Sequence, residues 1–77
     1  MRFTIVGQIA NAEPIATGRS VRIREHLIQK FGAGRWRKMR GEATTRFDDG
    51  TLRRVELHWF EAHGIGRVYL KRKRNLD

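Results

Sequence analysis

The N-terminal third of the chain shows two different hydrophobic periods. Apolar residues alternate over residues 3–9, which predicts a short β-strand. Residues 11–18, NAEPIATG, carry asparagine, proline and glycine and predict a loop. Over residues 21–31 the apolar positions recur three, four and seven apart, which predicts an amphipathic helix. We expect Ser20 to be its N-cap and Gly32 to end it in the left-handed conformation.

The remainder of the chain predicts a meander of three antiparallel strands. Strands are expected over residues 36–47, 51–63 and 67–74, separated by the turns DDG and HGIG. A three-residue loop at 48–50 is favoured over a two-residue loop, because only the longer loop brings the apolar positions of the two strands together. It pairs Ala43 with Val55, Gly41 with Leu57 and Met39 with Trp59.

This register separates the strands into two faces. The face expected to form the core holds Met39, Gly41, Ala43, Phe47, Val55, Leu57, Trp59, Val68 and Leu70. The helix and the apolar residues of the first strand are expected to cover it, and Gly41 leaves space for their close approach. The predicted fold is α+β, with one helix packed on a mainly antiparallel three- to four-stranded sheet in the chain order β-α-β-β-β. An SH3-like small barrel is the alternative, and residues 1–77 are expected to form one domain.

The net charge is the most informative property of the composition. Seventeen Lys and Arg stand against eight Asp and Glu, for a net charge of +9, and thirteen of the seventeen cations are arginine. The planar fork of Arg suits phosphate and stacks on bases. A polyanion, with nucleic acid ahead of acidic lipid or protein, is the favoured partner.

The second face carries cations interleaved with aromatic residues. Basic side chains follow a phosphate backbone and aromatic rings stack on bases, so we expect a nucleic-acid-binding module in which RNA is favoured. The predicted binding residues are Arg35, Trp36, Lys38, Arg40, Arg54, Phe60, Arg67, Tyr69, Lys71 and Lys73. The alternative is that the aromatic residues form a second core, in a curled sheet or a homodimer, which would make the protein an interaction module such as an antitoxin-like partner.

A metal-independent ribonuclease of the toxin type is the enzymatic alternative. Glu42 and Glu56 fall opposite each other, and one of them would act as the base, with His58 as the acid. Arg40 and Arg54 would stabilise the charged phosphorane. Like charges facing each other are unfavourable, so Arg40, Arg54 or His58 is expected to offset them. A charge ladder without catalytic function is the simpler interpretation.

Other kinds of site are excluded by spacing. The side chains of His58, Glu61 and His63 point to two faces of one strand, so no metal site is expected. The segment GAGRWRKMRG lacks the spacing of a phosphate-binding P-loop and follows a helix, so neither a nucleotide site nor a cofactor is expected there. The apolar N-terminal run is too short and interrupted for a signal peptide, and no segment approaches a membrane span. We therefore expect a cytoplasmic protein without a membrane partner.

The C-terminal half also shows a resemblance. The runs GRWRKMRGEA, DDGTLRRVELHWFEAHGIGR and KRKR resemble a group of small uncharacterised bacterial proteins. That group carries a G-x-W-R-K-x-[KR]-G-x-A segment, a D-G turn, an E-[IL]-H-W-[YF]-E-A-H-G-I-G-[RK] segment and a basic K-x-K-R end. Arg40 stands where the pattern usually has Lys. The resemblance implies a stand-alone bacterial protein and implies no activity.

Overall fold

The fold is an open four-stranded antiparallel sheet with one α-helix between its first two strands. A computed structural model describes residues 2–77. The strands are β1 (Phe3–Thr17), β2 (Arg37–Phe47), β3 (Leu52–Ala62) and β4 (Gly66–Asn75), and the helix is α1 (Arg24–Phe31). The spatial order is β1-β2-β3-β4. The predicted α+β class and the chain order β-α-β-β-β are confirmed.

Strand β1 is twice as long as the strand predicted over residues 3–9. The prediction of a loop over residues 11–18 is wrong, because β1 continues to Thr17 and pairs with β2 along its length. Proline is tolerated here because β1 is an edge strand, which needs hydrogen bonds on one side only. The register between β1 and β2 has three irregularities, one of them between Val6 and Ala10. They accommodate the residues of β1 at which the alternation of apolar and polar positions is broken.

The predicted register between β2 and β3 is confirmed. Ala43 faces Val55 and Met39 faces Trp59, without interruption along the pair. The turn closes with the Gly50 amide donating to the Phe47 carbonyl at 2.9 Å, and Gly50 has a φ of 85°. That backbone conformation is open to glycine without steric cost, which is why the three-residue loop ends on this residue.

The first face of the sheet, here called the inner face, holds a buried cluster. Its members are Met39, Ala43, Phe47, Val55, Leu57 and Trp59, against which Phe3, Ile5 and Ile9 of β1 pack. The sheet curls over this face, since Leu70 of β4 lines a pocket together with Phe3 and Ile5 of β1. Gly41 lies at the closest approach, where an added Cβ would be 2.6 Å from Ile9 Cγ2 and 2.9 Å from Trp59 Cη2.

The helix packs on the opposite face, here called the helix face, so the predicted placement of the helix over the inner face is wrong. A second buried cluster joins Val21, Leu27, Trp36 and Ala62, with Ala16, Ile28, Phe31, Phe60, Ile65 and Val68 packed around it. Side chains of β1 cover the inner face instead. The helix packs against apolar residues at the adjoining ends of β3 and β4, on the other side of the sheet. The sheet therefore has a core on each side.

Two details of the helix ends also differ from the prediction. Ser20 is not the N-cap of α1, because it ends a 3-10 turn, Gly18–Ser20, in which its hydroxyl donates to the Thr17 carbonyl at 2.6 Å. Ile23 occupies the N-cap position. Gly32 does end the helix, with a φ of 121° and a ψ of 165°, which is outside the left-handed helical region.

A bulge in β4 changes which side chains face which way. Phe60 pairs with Val68 and His58 pairs with Lys71, so two residues of β4, Tyr69 and Leu70, stand opposite one residue of β3. The expectation that Val68 joins the inner-face core is wrong, because Val68 packs in the helix-face cluster, and Leu70 is 36% exposed. Strict alternation fails here because the bulge inserts one residue.

Within residues 2–77, no helix has the length and hydrophobicity needed to cross a membrane.

The contact at Gly41 generates a stability prediction. Gly41→Ala should destabilise the protein by about 1–3 kcal/mol, because the new methyl group overpacks Ile9 and the Trp59 ring. Urea unfolding should show a lower midpoint with an unchanged slope. Combining Gly41→Ala with Ile9→Ala should cost less than the sum of the two single substitutions, since one of the clashing atoms is gone. Strict additivity would contradict the proposed contact.

Candidate nucleic-acid interface

Nine of the ten predicted binding residues, all except Trp36, divide into three groups in the structure. Lys38, Arg40, Arg54, Phe60, Tyr69 and Lys71 lie on the helix face of the sheet. Arg67 pairs with Glu61 in the sheet and lines a pocket with Trp59, so it belongs to the inner face. Arg35 lies in the loop before β2, and Lys73 is an exposed residue at an irregularity near the end of β4.

Trp36 is not an exposed stacking residue, and the expectation that it faces a ligand is wrong. Its side chain is 0% exposed and lies in the helix-face cluster beside Phe31, with ring centroids 6.1 Å apart. Its indole Nε1 donates to the Gly32 carbonyl at 3.0 Å. A large aromatic ring gains more by burial under the helix than by contact with water, and its polar group is satisfied there.

Tyr69 is the aromatic residue that remains accessible on the helix face. It is 40% exposed and has a φ of 55°, a conformation that costs non-glycine residues roughly 1–2 kcal/mol. Its hydroxyl lies 2.6 Å from His26 Nε2, and the two rings are stacked with centroids 5.8 Å apart. Phe31 and Phe60 contact the Tyr69 ring edge-on, at 5.4 and 6.5 Å. Residues from α1, β3 and β4 thus hold Tyr69 in place.

Cations surround this aromatic group. Lys30 Nζ lies 5.5 Å from the Tyr69 ring centroid, and Lys38 Nζ lies 5.8 Å from the Phe60 centroid. Lys71 is exposed and faces His58 across the β3–β4 ladder. Among residues 2–77 none of these three lysines is in an ion pair with a carboxylate, so their charges are available to an anionic ligand.

Glu56 is the centre of a charge cluster further along the helix face. Its carboxylate accepts hydrogen bonds from Arg40 at 3.0 Å and from Arg74 at 3.2 Å, and lies 2.7 Å from His58 Nε2. Arg40 is shared with Glu13 of β1, at 2.8 Å. Glu56 and His58 are 7% and 9% exposed, and this buried pair is linked through the exposed Glu13 and Arg74 side chains to all four strands.

The cluster explains how the structure tolerates two glutamates opposite each other. Glu42 faces Glu56 in the ladder, as predicted. Arg40 and His58 offset the charge, whereas Arg54 donates to Thr44 Oγ1 at 3.3 Å instead. Hydrogen bonds from Arg40, then His58, and a weaker one from Arg74, lower the pKa of Glu56 from 4.5 to about 2, against the opposing effect of burial.

The candidate catalytic residues are therefore only partly brought together. Glu56 and His58 are in contact, but three basic side chains occupy the Glu56 carboxylate. A carboxylate with a pKa near 2 is a weak base at neutral pH, since a general base works best when its pKa is near the operating pH. Arg54 is not aimed at this carboxylate. The contacts of Glu56 are suited to hold the strands together more than to let this carboxylate accept a proton.

No group of three or more His, Asp or Glu side chains within residues 2–77 is arranged to hold a metal ion. His58 lies on the helix face. Glu61 lies on the other face, where it accepts a hydrogen bond from Trp59 Nε1 at 2.8 Å and pairs with Arg37. His63 is exposed in the turn after β3.

Several residues of the site were missed by sequence reasoning. Glu13 lay in the segment predicted as a loop. Alternation predicted Lys73 on the helix face, whereas the structure has Arg74 there. The difference arises because an irregularity between the Glu56 and Leu57 pairings shifts β4 by one residue. His26 and Lys30 lie on the helix, which was assigned to the other face. The only available signal was their spacing of one helical turn.

Comparison with models of protein families, with curated protein sequences and with solved structures finds no match for the chain.

The depressed pKa of Glu56 predicts how stability changes with pH. The carboxyl has a pKa of about 2 when folded and an ordinary pKa of 4.5, so the unfolded chain binds more protons between these values. The ionised Glu56 carboxylate therefore contributes its full stabilisation of the fold above about pH 5, and this contribution is lost as the pH falls toward 2. Urea midpoints of wild type should fall over this window. The Glu56→Gln variant should be less stable than wild type at neutral pH, and its urea midpoint should fall less on acidification.

Glu13→Gln is the matched control, because it removes a carboxylate that also binds Arg40 but is exposed. Its pH profile should run parallel to that of wild type. If Glu56→Gln were also parallel to wild type, the ionised carboxylate would not be what holds the cluster.

Proposed function

We propose that the protein binds single-stranded nucleic acid, with RNA favoured, across the helix face between α1 and β4. The observation that supports this most is the His26–Tyr69 stack, which is exposed, is fixed by contacts and is surrounded by lysines that form no ion pair within residues 2–77. The revised binding residues are His26, Lys30, Lys38, Phe60, Tyr69 and Lys71, with Arg54 further along the same face.

The aromatic part of the site is suited to a base. The His26 and Tyr69 rings are inclined by 25° to each other, so a base on the outer side of this pair extends an existing stack. Stacking on an aromatic side chain contributes about 1–3 kcal/mol per base and does not depend on base identity. Because the left-handed backbone and the His26 hydrogen bond fix Tyr69, little side-chain freedom remains to be lost on binding.

The cationic part of the site is suited to a phosphate backbone. Lys30, Lys38 and Lys71 lie around the aromatic residues on three different elements, and the whole chain carries a net charge of +9. Strand β4 adds the exposed Lys73, two residues after Lys71. Basic residues along a path beside stacking rings are typical of binding without strong sequence preference.

Binding is favoured over cleavage by the state of the Glu56 cluster. A ribonuclease needs a base available to the 2′-hydroxyl, whereas Glu56 is occupied by Arg40, His58 and Arg74. Glu42 lies opposite Glu56 in the ladder and has no basic partner within the described chain, so no neighbouring side chain arranges this carboxylate for proton transfer.

Affinity should depend strongly on salt. Fluorescence anisotropy with labelled single-stranded RNA should give a log–log slope of about −2, since three lysine–phosphate contacts each contribute about −0.7. Lys30→Ala and Lys71→Ala should each reduce the slope by about 0.7. Arg53→Ala is the matched control, because it removes an exposed cation from the inner face, and it should leave the slope close to the wild-type value. A flat salt response in wild type would contradict the proposal.

The aromatic contribution separates this site from a general attraction to polyanions. Tyr69→Ala should weaken RNA binding by about 1–3 kcal/mol, and Tyr69→Phe should retain most of the affinity because the ring remains. Neither substitution should change binding to polyglutamate, which has no bases. Thermal unfolding of each variant establishes that the fold is intact. Equal losses for RNA and polyglutamate would show that the rings play no part in stacking.

A further inference from the structure

A pocket at the opposite end of β2 from the DDG turn collects four basic side chains. It has a volume of about 620 Å³ and is lined by Arg24, Arg35, Arg37 and His63, with Trp36 and Gly34 among its other walls. Six parts of the chain contribute to it: the end of β1, the 3-10 turn, the start of α1, the loop before β2, the start of β2 and the turn after β3. It is distinct from the His26–Tyr69 stack, with which it shares no residue.

Two of the three arginines of this pocket, Arg24 and Arg35, are poorly compensated, whereas Arg37 pairs with Glu61. No carboxylate is among the residues that line it within the described chain. Arg35 is in no ion pair or side-chain hydrogen bond within residues 2–77. Arg24 pairs only with the neighbouring Glu25, at 3.5 Å and with the glutamate side chain 80% exposed. A surface pair of this kind contributes little, so Arg24 can exchange it for a stronger anion.

The two arginines of the loop and strand are fixed by the residue between them. Arg35 and Arg37 flank Trp36, which is fully buried and bonded to the Gly32 carbonyl. Gly34 approaches Ala62 so closely that an added Cβ would lie 3.1 Å from the Ala62 Cβ. Arg37 is further held by its ion pair with Glu61. The backbone that carries both guanidinium groups is thereby pinned to the core.

We propose that this pocket binds a phosphate monoester. Guanidinium groups donate paired hydrogen bonds that match phosphate oxygens, and several of them around one anion give a stronger site than separate surface charges. The volume falls within the range of small-ligand pockets, so a phosphate with an attached nucleoside fits. The segment GAGRWR thus serves an anion without P-loop geometry: it contributes arginine side chains instead of a ring of backbone amides. The inference does not depend on the proposed binding of nucleic acid to the helix face.

The test is a calorimetric titration of the full chain with uridine 5′-monophosphate, with uridine and inorganic phosphate as reference ligands. The nucleotide and phosphate should bind, and uridine should not. Arg35→Ala should weaken nucleotide binding by at least about tenfold, because a hydrogen bond to a charged group is lost. Arg35→Lys should be intermediate, since it keeps the charge but loses the fork.

Arg46→Ala is the matched control, because Arg46 is an exposed arginine at the far end of β2. It should leave the nucleotide affinity at the wild-type value. The proposal is overturned if uridine binds as well as its monophosphate, or if Arg35→Ala and Arg46→Ala weaken binding equally, since the anion would then respond only to net charge.

Two sources of the phosphate are distinguished by a further pair of ligands. A tetrauridylate with a 5′-phosphate should bind more tightly than the same strand with a 5′-hydroxyl if the pocket receives the end of a nucleic-acid strand. Equal affinities of the two strands, together with binding of the mononucleotide, identify a free nucleotide as the source. Loss of this preference in Arg35→Ala, while Tyr69→Ala retains it, assigns the effect to the pocket and not to the helix face.

Discussion

The register between β2 and β3 is the constraint on which the rest of the structure depends. Because Gly50 closes a three-residue turn, Gly41 falls opposite Leu57, and the apolar side chains that form the first core cluster all reach the inner face. The same register places Glu42 opposite Glu56 on the helix face. The unfavourable pairing is tolerated because Arg40 and His58 bind Glu56, so a single geometric choice determines both the core and the charge cluster.

The edge strands follow different rules from the central pair. Both β1 and β4 contain irregularities, which bend a strand and re-aim its side chains. In β4 the bulge puts Tyr69 in a left-handed conformation, which persists only because His26, Phe31 and Phe60 hold the ring. The strained backbone therefore belongs to Tyr69, the residue whose exposed ring lies among the lysines. This coincidence links the local geometry to the proposed binding of bases.

Sequence reasoning succeeded where the hydrophobic period was unbroken. Strands β2 and β3, the turn at Gly50 and the contact between Glu56 and His58 follow from alternation and loop length, which act locally. It failed where a longer-range effect decided the outcome: β1 extends through Pro14 because β2 offers hydrogen bonds, and Trp36 is buried because the helix lies above it. Bulges in β4 are not encoded by any turn residue, so the positions of Val68, Tyr69 and Arg74 were not predictable from alternation.

NMR chemical-shift perturbation on titration with single-stranded RNA tests the proposed binding face most directly. The largest shift changes should fall on His26, Tyr69 and Lys71, with smaller ones at Lys30 and Lys38, while the inner-face positions Arg53 and Arg67 stay unchanged. Perturbations spread evenly over both faces, or concentrated on the inner face, would contradict a helix face built to bind a nucleic-acid strand.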